Sequence, residues 1–254
     1  MNIYFSLGLC FAPLFLCFIF FKIFSKINFL TELISCITAM FAVLFISFVQ
    51  FLLSYSIPKL TAADNTVLSW LLKPLFVNGL IEEGLKLLFL IMIPRKKTEF
   101  AHYFMASFLF GIAFGCFESA VYFLQYLQLA KLKGAELIYH LIFARMFSSV
   151  FVHAFCAGLL GLFIWSIKEK RADFLSLAIP IVTHGLYDFF VSQPSRIRWF
   201  FIPTILVLIL ESRIRYEKIK PESEYQKTPE PQKGNCDATI ETPLKDAPPF
   251  ERKQ

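Results

Sequence analysis

Ile81-Glu82-Glu83-Gly84-Leu85-Lys86 puts two carboxylates and an ammonium inside an apolar run from Val67 to Ile93. The run is long enough to cross a bilayer, because a spanning helix needs about 20 apolar residues. A charge at the centre of a membrane helix costs about 2.5–3.5 kcal/mol. Three in one helix are tolerable only if they meet each other, water or polar groups on neighbouring helices. On an α-helix Glu83 and Lys86 are i,i+3 neighbours, and Glu82 and Lys86 are i,i+4 neighbours on the same side. Lys86 can therefore sit between both carboxylates. A tolerated internal ion pair would need one Glu and one Lys, so the second Glu points to a working site.

The surrounding chain has the composition of a membrane protein. Of its 254 residues, 57% are hydrophobic and 32 are Phe, and the mean hydropathy is +0.61. An ordinary soluble domain is excluded. The net charge of +6 is not a nucleic-acid signal, because the basic residues fall at the ends of apolar segments. Seven such segments are expected as helices: Tyr4 to Phe21, Leu33 to Ile57, Val67 to Ile93, Tyr103 to Leu127, Ile138 to Ile167, Phe174 to Val191 and Trp199 to Leu210. The first reads as a retained span rather than a signal peptide, having no charged segment before it and no evident cleavage site. The loops after spans one, three, five and seven hold twelve Lys and Arg. The other loops hold five: Lys59, Lys131, Lys133, Arg196 and Arg198. The positive-inside rule then gives an external N-terminus and a cytoplasmic C-terminus.

The expected fold is all-α, a polytopic helical bundle over residues 1–215 whose motifs lie between 67 and 191. From 216 to 254 the composition becomes charged and proline-rich, with six of the thirteen prolines, and this segment reads as a disordered cytoplasmic tail. The six cysteines show no CxxC or Cys/His metal spacing and read as small membrane hydrophobes.

Other polar residues lie at mid-span: Glu118 in the fourth, Arg145 and His153 in the fifth, His184 and Asp188 in the sixth. Unpaired insertion of Glu82, Glu83, Lys86, Glu118, Arg145 and Asp188 would cost roughly 15–20 kcal/mol at per-residue values near 3. That exceeds the stability of a typical domain, so the groups are expected to converge on one cavity. His184 and Asp188 stand at i,i+4, where Asp188 can accept a hydrogen bond from the ring and raise its basicity. Gly111 and Gly115, with Ala154/Gly158 and Ala157/Gly161, form small-residue faces for close helix approach. Arg145 reads as a counter-ion to the carboxylates.

Glu82-Glu83-x-x-Lys86, then Phe114-x-x-x-Glu118, then His184-x-x-x-Asp188, in order on successive helices, resembles the PrsW-type glutamic intramembrane proteases. The wider superfamily includes the CAAX prenyl endopeptidases and bacteriocin-immunity-type membrane proteins. The resemblance covers about Val67 to Val191, and Val152-His153-Ala154 is similar to the family's fifth-helix pattern. CAAX-type members generally carry a His where this chain has Glu118, which favours the PrsW branch.

The resemblance implies an endopeptidase in the cell membrane, the cytoplasmic one in a bacterium. Its substrate would be a single-span membrane protein such as an anti-sigma factor, cut near the membrane within a lipid environment, with no nucleic-acid partner. Peptide hydrolysis needs a water, a base and oxyanion stabilisation. Glu82 and Glu83 are expected to activate water jointly, with Lys86 keeping one carboxylate charged. His184, backed by Asp188, would polarise the scissile carbonyl or position the water. Glu118 would hold the water or protonate the leaving amine, with His153 and Arg145 supporting. No metal is expected, since HExxH is absent and the set is mainly acidic; zinc on the Glu and His residues is the alternative. A proton- or cation-coupled transporter is the rival from another class, although the inverted repeats expected there are not visible. A CAAX-type endopeptidase relative and a non-catalytic lipid- or peptide-binding protein are further alternatives.

Overall fold

The computed structural model describes residues 3–24, 27–56, 67–95, 98–133, 135–194 and 196–221, and among these every regular element is helical. The chain begins with α1 (Ile3–Cys10), α2 (Ala12–Phe24) and the long α3 (Phe29–Ser56). Val67 to Leu90 runs on as three joined pieces: α4 (Val67–Lys73), a π-helix (Pro74–Glu82) and α5 (Glu83–Leu90). Then come α6 (Phe100–Lys133), α7 (Ala135–Phe147), α8 (Ser149–Lys168) and α9 (Leu175–Ser192). A 3₁₀ turn (Arg196–Phe200) leads into α10 (Phe201–Ile219).

Four segments are long and apolar enough to cross a membrane: Phe29–Ser56, Phe100–Leu127, Tyr139–Lys168 and Leu175–Ser192. The pair Ile3–Cys10 and Ala12–Ile23, bent by 44°, makes a fifth if it is one broken span. This is a multi-pass membrane protein, but the expected count of seven is not reached on these criteria. Val67 to Leu90 carries Lys73, Glu82, Glu83 and Lys86, and α10 carries Glu211, Arg213, Arg215, Glu217 and Lys218 in its second half. The loop 61–66, expected outside, and residues 222–254 of the expected tail lie outside the described residues.

The span Tyr139–Lys168 has 83% of its apolar window buried, against 28% for α3, so α8 is the centre of the bundle and α3 its edge. The most extensive helix pairing is α6 on α8. A β-carbon at Gly111 would land on the His153 carbonyl and the Ala154 backbone, and one at Gly115 on Val150 and the His153 ring. The two backbones touch there, and this approach brings Glu118 to His153.

The π-helix departs from the regular α-helix expected through this run. Nine π residues are unusual, since such turns mostly occur singly and at functional sites. Pro74 opens the segment, and at its end the Glu83 N–H returns to the Gly79 and Leu80 carbonyls. The widened helix lies against α9, with Gly79 on the Ile181 carbonyl and Gly185 on Leu75. Glu82 is its last residue, so it sets where the motif's first carboxylate points.

α10 continues four residues past the expected boundary at 215. Tyr216 packs against Phe100 (tilted) and Phe104 (edge-on), with centroids at 4.9 and 5.0 Å. Lys218 Nζ donates to Asp173 Oδ1 at 2.8 Å in the turn between α8 and α9, and Ser176 donates to Asp173 Oδ2. Burial works against the Asp173 charge, but the Lys218 and Ser176 bonds with the Lys218 and Arg215 charges hold its carboxyl below the usual range. With the folded pKa below the unfolded one, this stabilisation is complete above about pH 4 and is lost as pH falls through the folded value. Asp173→Asn is therefore expected to lower Tm at neutral pH by an amount worth about 1 kcal/mol, and the gap to wild type should narrow as pH falls below the usual carboxylate range. A gap unchanged by acid, in detergent melts, would contradict the clamp.

Candidate active site

Glu82, Glu83, Lys86, His153 and His184 are all buried, and their polar ends meet between α5, α8 and α9. Lys86 is fully enclosed. Its Nζ lies 2.8 Å from Glu83 Oε1, 3.0 Å from Glu82 Oε1 and 2.8 Å from His153 Nδ1, over the Phe114 ring at 4.1 Å. Both helical spacings read from the sequence are realised, because the chain is α-helical from Glu83 onward.

An ammonium only donates, so His153 Nδ1 must accept; Nε2 then carries the hydrogen and donates to Glu118 Oε2 at 2.7 Å. Glu118 is held in turn by Arg145 Nη2 at 2.5 Å. Arg145 also donates to Ser119 and Ser149 and lies over the Tyr122 ring. Arg145 is thus a counter-ion to Glu118.

His184 departs from expectation. Its Nδ1 is 2.6 Å from Glu83 Oε1, whereas Asp188 Oδ2 lies 3.6 Å from Nε2, beyond hydrogen-bond reach. The carboxylate that orients this ring is Glu83. Asp188 accepts instead from Asn78 Nδ2 at 2.6 Å, from the π-helix. His184 Nε2 is 3.8 Å from Glu82 Oε1, and so is His153 Nδ1. The two imidazoles meet edge to face at 4.9 Å.

Exposure shows where the cluster opens. The Asp188, Glu118 and Arg145 side chains are 27, 19 and 17% exposed, whereas those of Glu82, Glu83, Lys86, His153 and His184 are 4% or less. The first three therefore form the rim and the rest the floor.

Asn78 and Gln50, whose amide donates to Glu82 Oε2 at 3.3 Å, were not singled out in the sequence. Both are amides inside apolar runs, so the insertion-cost argument extended from charges to amides would have flagged them. Ser119, Ser149 and Tyr122 carry no such signal.

Glu82, Glu83, His153 and His184 each offer a ligand atom, and these four atoms lie within 4.8 Å of one another. Glu82 Oε1 and Glu83 Oε2 are buried without a hydrogen-bond partner among the described residues. Glu82 Oε1 does have Lys86 at 3.0 Å, a charge contact whose direction fails as a hydrogen bond. Two imidazoles and two carboxylates suit zinc, and Glu118 behind His153 supplies the outer carboxylate that such histidines usually have. The residues fit a divalent ion.

The comparisons with known proteins agree on one family. The chain is 30% identical over 155 residues to a protein from Clostridioides difficile (strain 630) named Protease PrsW. That match covers 57% of this chain and 61% of the relative, so the chain spans less than two thirds of the relative's length. No solved structure matches. Residues 29–211 match the profile of a family described as PrsW family intramembrane metalloprotease. These residues are most of the chain and include every motif residue gathered in the cluster, and the chain belongs to that family.

Proposed function

We propose that the chain is an intramembrane endopeptidase that hydrolyses a peptide bond of a single-span protein in the cell membrane. The observation that carries the reading is the floor of the cluster: four buried ligand atoms within 4.8 Å, with two carboxylate oxygens of Glu82 and Glu83 lacking a hydrogen-bond partner among the described residues. The expectation of no metal stands against the family's description as metalloproteases, and the donor set supports an ion. Catalytic zinc sites commonly take three protein ligands and leave a position for water. Glu83, His153 and His184 would hold the ion, leaving Glu82 to work on the water. Bound there, zinc acts as a Lewis acid and makes water a nucleophile near neutral pH.

The chain's own residues divide the remaining work. Glu82 Oε1 faces both histidines at 3.8 Å while its Oε2 is steadied by Gln50, as a base that must take a proton from water requires. The water oxygen bonds to the scissile carbonyl carbon, the C–N bond breaks, and the proton passes to the leaving amine. Glu118 fixes the ring of His153, and Glu83 fixes that of His184. Asp188, held by Asn78 on the rim, lies where an unwound substrate segment would enter.

The test is cleavage of candidate single-span proteins by the full chain purified in detergent, with and without a chelator. Cleavage that stops with the chelator and returns with zinc is expected. If cleavage ignores the chelator, the metal-free glutamate mechanism replaces this one. If wild type cuts nothing in varied lipids yet shows a pH-dependent flux in liposomes, the protein is a transporter.

A further inference from the structure

The Lys86 ammonium occupies the place where a bound cation would be expected. It touches three of the four candidate ligand residues, Glu82, Glu83 and His153, at 2.8–3.0 Å. The decisive contact is with His153. Glu118 binds Nε2, so Nδ1 holds the only ring lone pair turned toward the cluster, and Lys86 already uses it. A histidine nitrogen cannot accept from an ammonium and ligate a metal at the same time. Glu83 Oε1 is likewise shared between Lys86 and His184. With Lys86 in place, then, the site has only one histidine to offer.

We propose that Lys86 is a tethered cation that closes the metal site, competing with a divalent ion for His153 Nδ1, so that loading requires its ammonium to withdraw. This rests on the metal-dependent reading above and adds a regulatory element to it. The competition has a physical purpose. Two adjacent buried carboxylates with no cation would be strongly destabilising, and Lys86 neutralises them while the site is empty. An ion that enters takes over that role. Phe114 contributes by holding the ammonium over its ring face at 4.1 Å, which biases the equilibrium toward the closed site.

The expectation runs opposite to that for an ordinary supporting residue, whose loss weakens metal binding. In a titration of the full chain in detergent, with zinc buffered by a competing chelator, Lys86→Met should bind zinc at least about tenfold more tightly than wild type. A nearby positive charge is removed and His153 is set free. The same variant should melt at a lower temperature in EDTA and gain a larger shift on adding zinc. Phe114→Leu, which leaves every donor and the lysine in place, should tighten zinc binding by about three- to tenfold, since a buried cation–π contact is lost. It keeps the idea testable if Lys86→Met does not fold.

The outcomes separate the two claims. If wild type binds zinc and the variants bind equally or less tightly, Lys86 is a support and the competition is overturned, while the metal reading stands. If neither wild type nor the variants bind zinc, both fall. Tighter binding in the variants, with the EDTA melting loss, supports the proposal.

Discussion

Glu82→Gln is expected to leave the protein folded and to reduce peptide-bond cleavage by about 10²–10⁴-fold, the range that acid–base catalysis supplies. The amide keeps the shape and can still meet Gln50, but it cannot take a proton from water. Glu83→Gln should be as damaging to turnover for a different reason, visible in a different measurement. Glu83 Oε1 is the shared partner of Lys86 and His184, so its loss frees one ring and removes one of the two carboxylates that neutralise a buried ammonium. Breaking a buried pair costs about 3–5 kcal/mol, and Glu83→Gln should lower Tm in detergent more than Glu82→Gln, because Glu83 bonds both Lys86 and His184 whereas Glu82 has only a 3.0 Å charge contact with Lys86. Asp188→Asn should be mild, because that carboxylate stands 3.6 Å from the ring and on the rim. Turnover near wild type in Glu82→Gln would remove it from the role of base. Equal melting losses in both variants would mean that the adjacent carboxylates are not divided between a working and an anchoring role.

The sequence disclosed the site more fully than its wiring. Charges that cannot face lipid must find one another, and this burial argument is why Glu82, Glu83, Lys86, Glu118, Arg145 and Asp188 could be expected to converge before any fold was known. Contacts within one helix followed from spacing alone, as Lys86 with both glutamates shows. Contacts between helices did not. The i,i+4 spacing of His184 and Asp188 suggested a partnership, but the ring turns to Glu83 on another helix, and Asp188 is drawn off by Asn78. Spacing reports which side chains share a face; it cannot report which partner across the interface is nearer. The expected count of seven spans is not reached by length and composition for a related reason. A window counts charge and apolarity along one segment, whereas Val67 to Leu90 is accommodated by what packs against it.

The same distinction predicts a contrast between two glycines. Gly84 lies inside the motif beside Glu83, yet a β-carbon there meets nothing within 4 Å. Gly84→Ala is expected to be neutral or to stabilise by up to about 1 kcal/mol, the difference in helix propensity. Gly79 lies outside every motif, but a β-carbon there would fall on the backbone carbonyl of Ile181, which no rotamer change can move aside. Gly79→Ala must push the π-helix off α9. Overpacking of this kind costs about 1–3 kcal/mol and sometimes more. The larger effect should be on chemistry, because Glu82 ends the π segment and Asn78 holds Asp188 from within it. A shift of about 1 Å in a positioned group can cost about 10²-fold in rate. Turnover of Gly79→Ala should accordingly fall by about that factor, with a lowered Tm, while Gly84→Ala keeps both. Should the order be reversed, the seating of the π-helix on α9 is not what places the first glutamate, and the motif's own backbone must be.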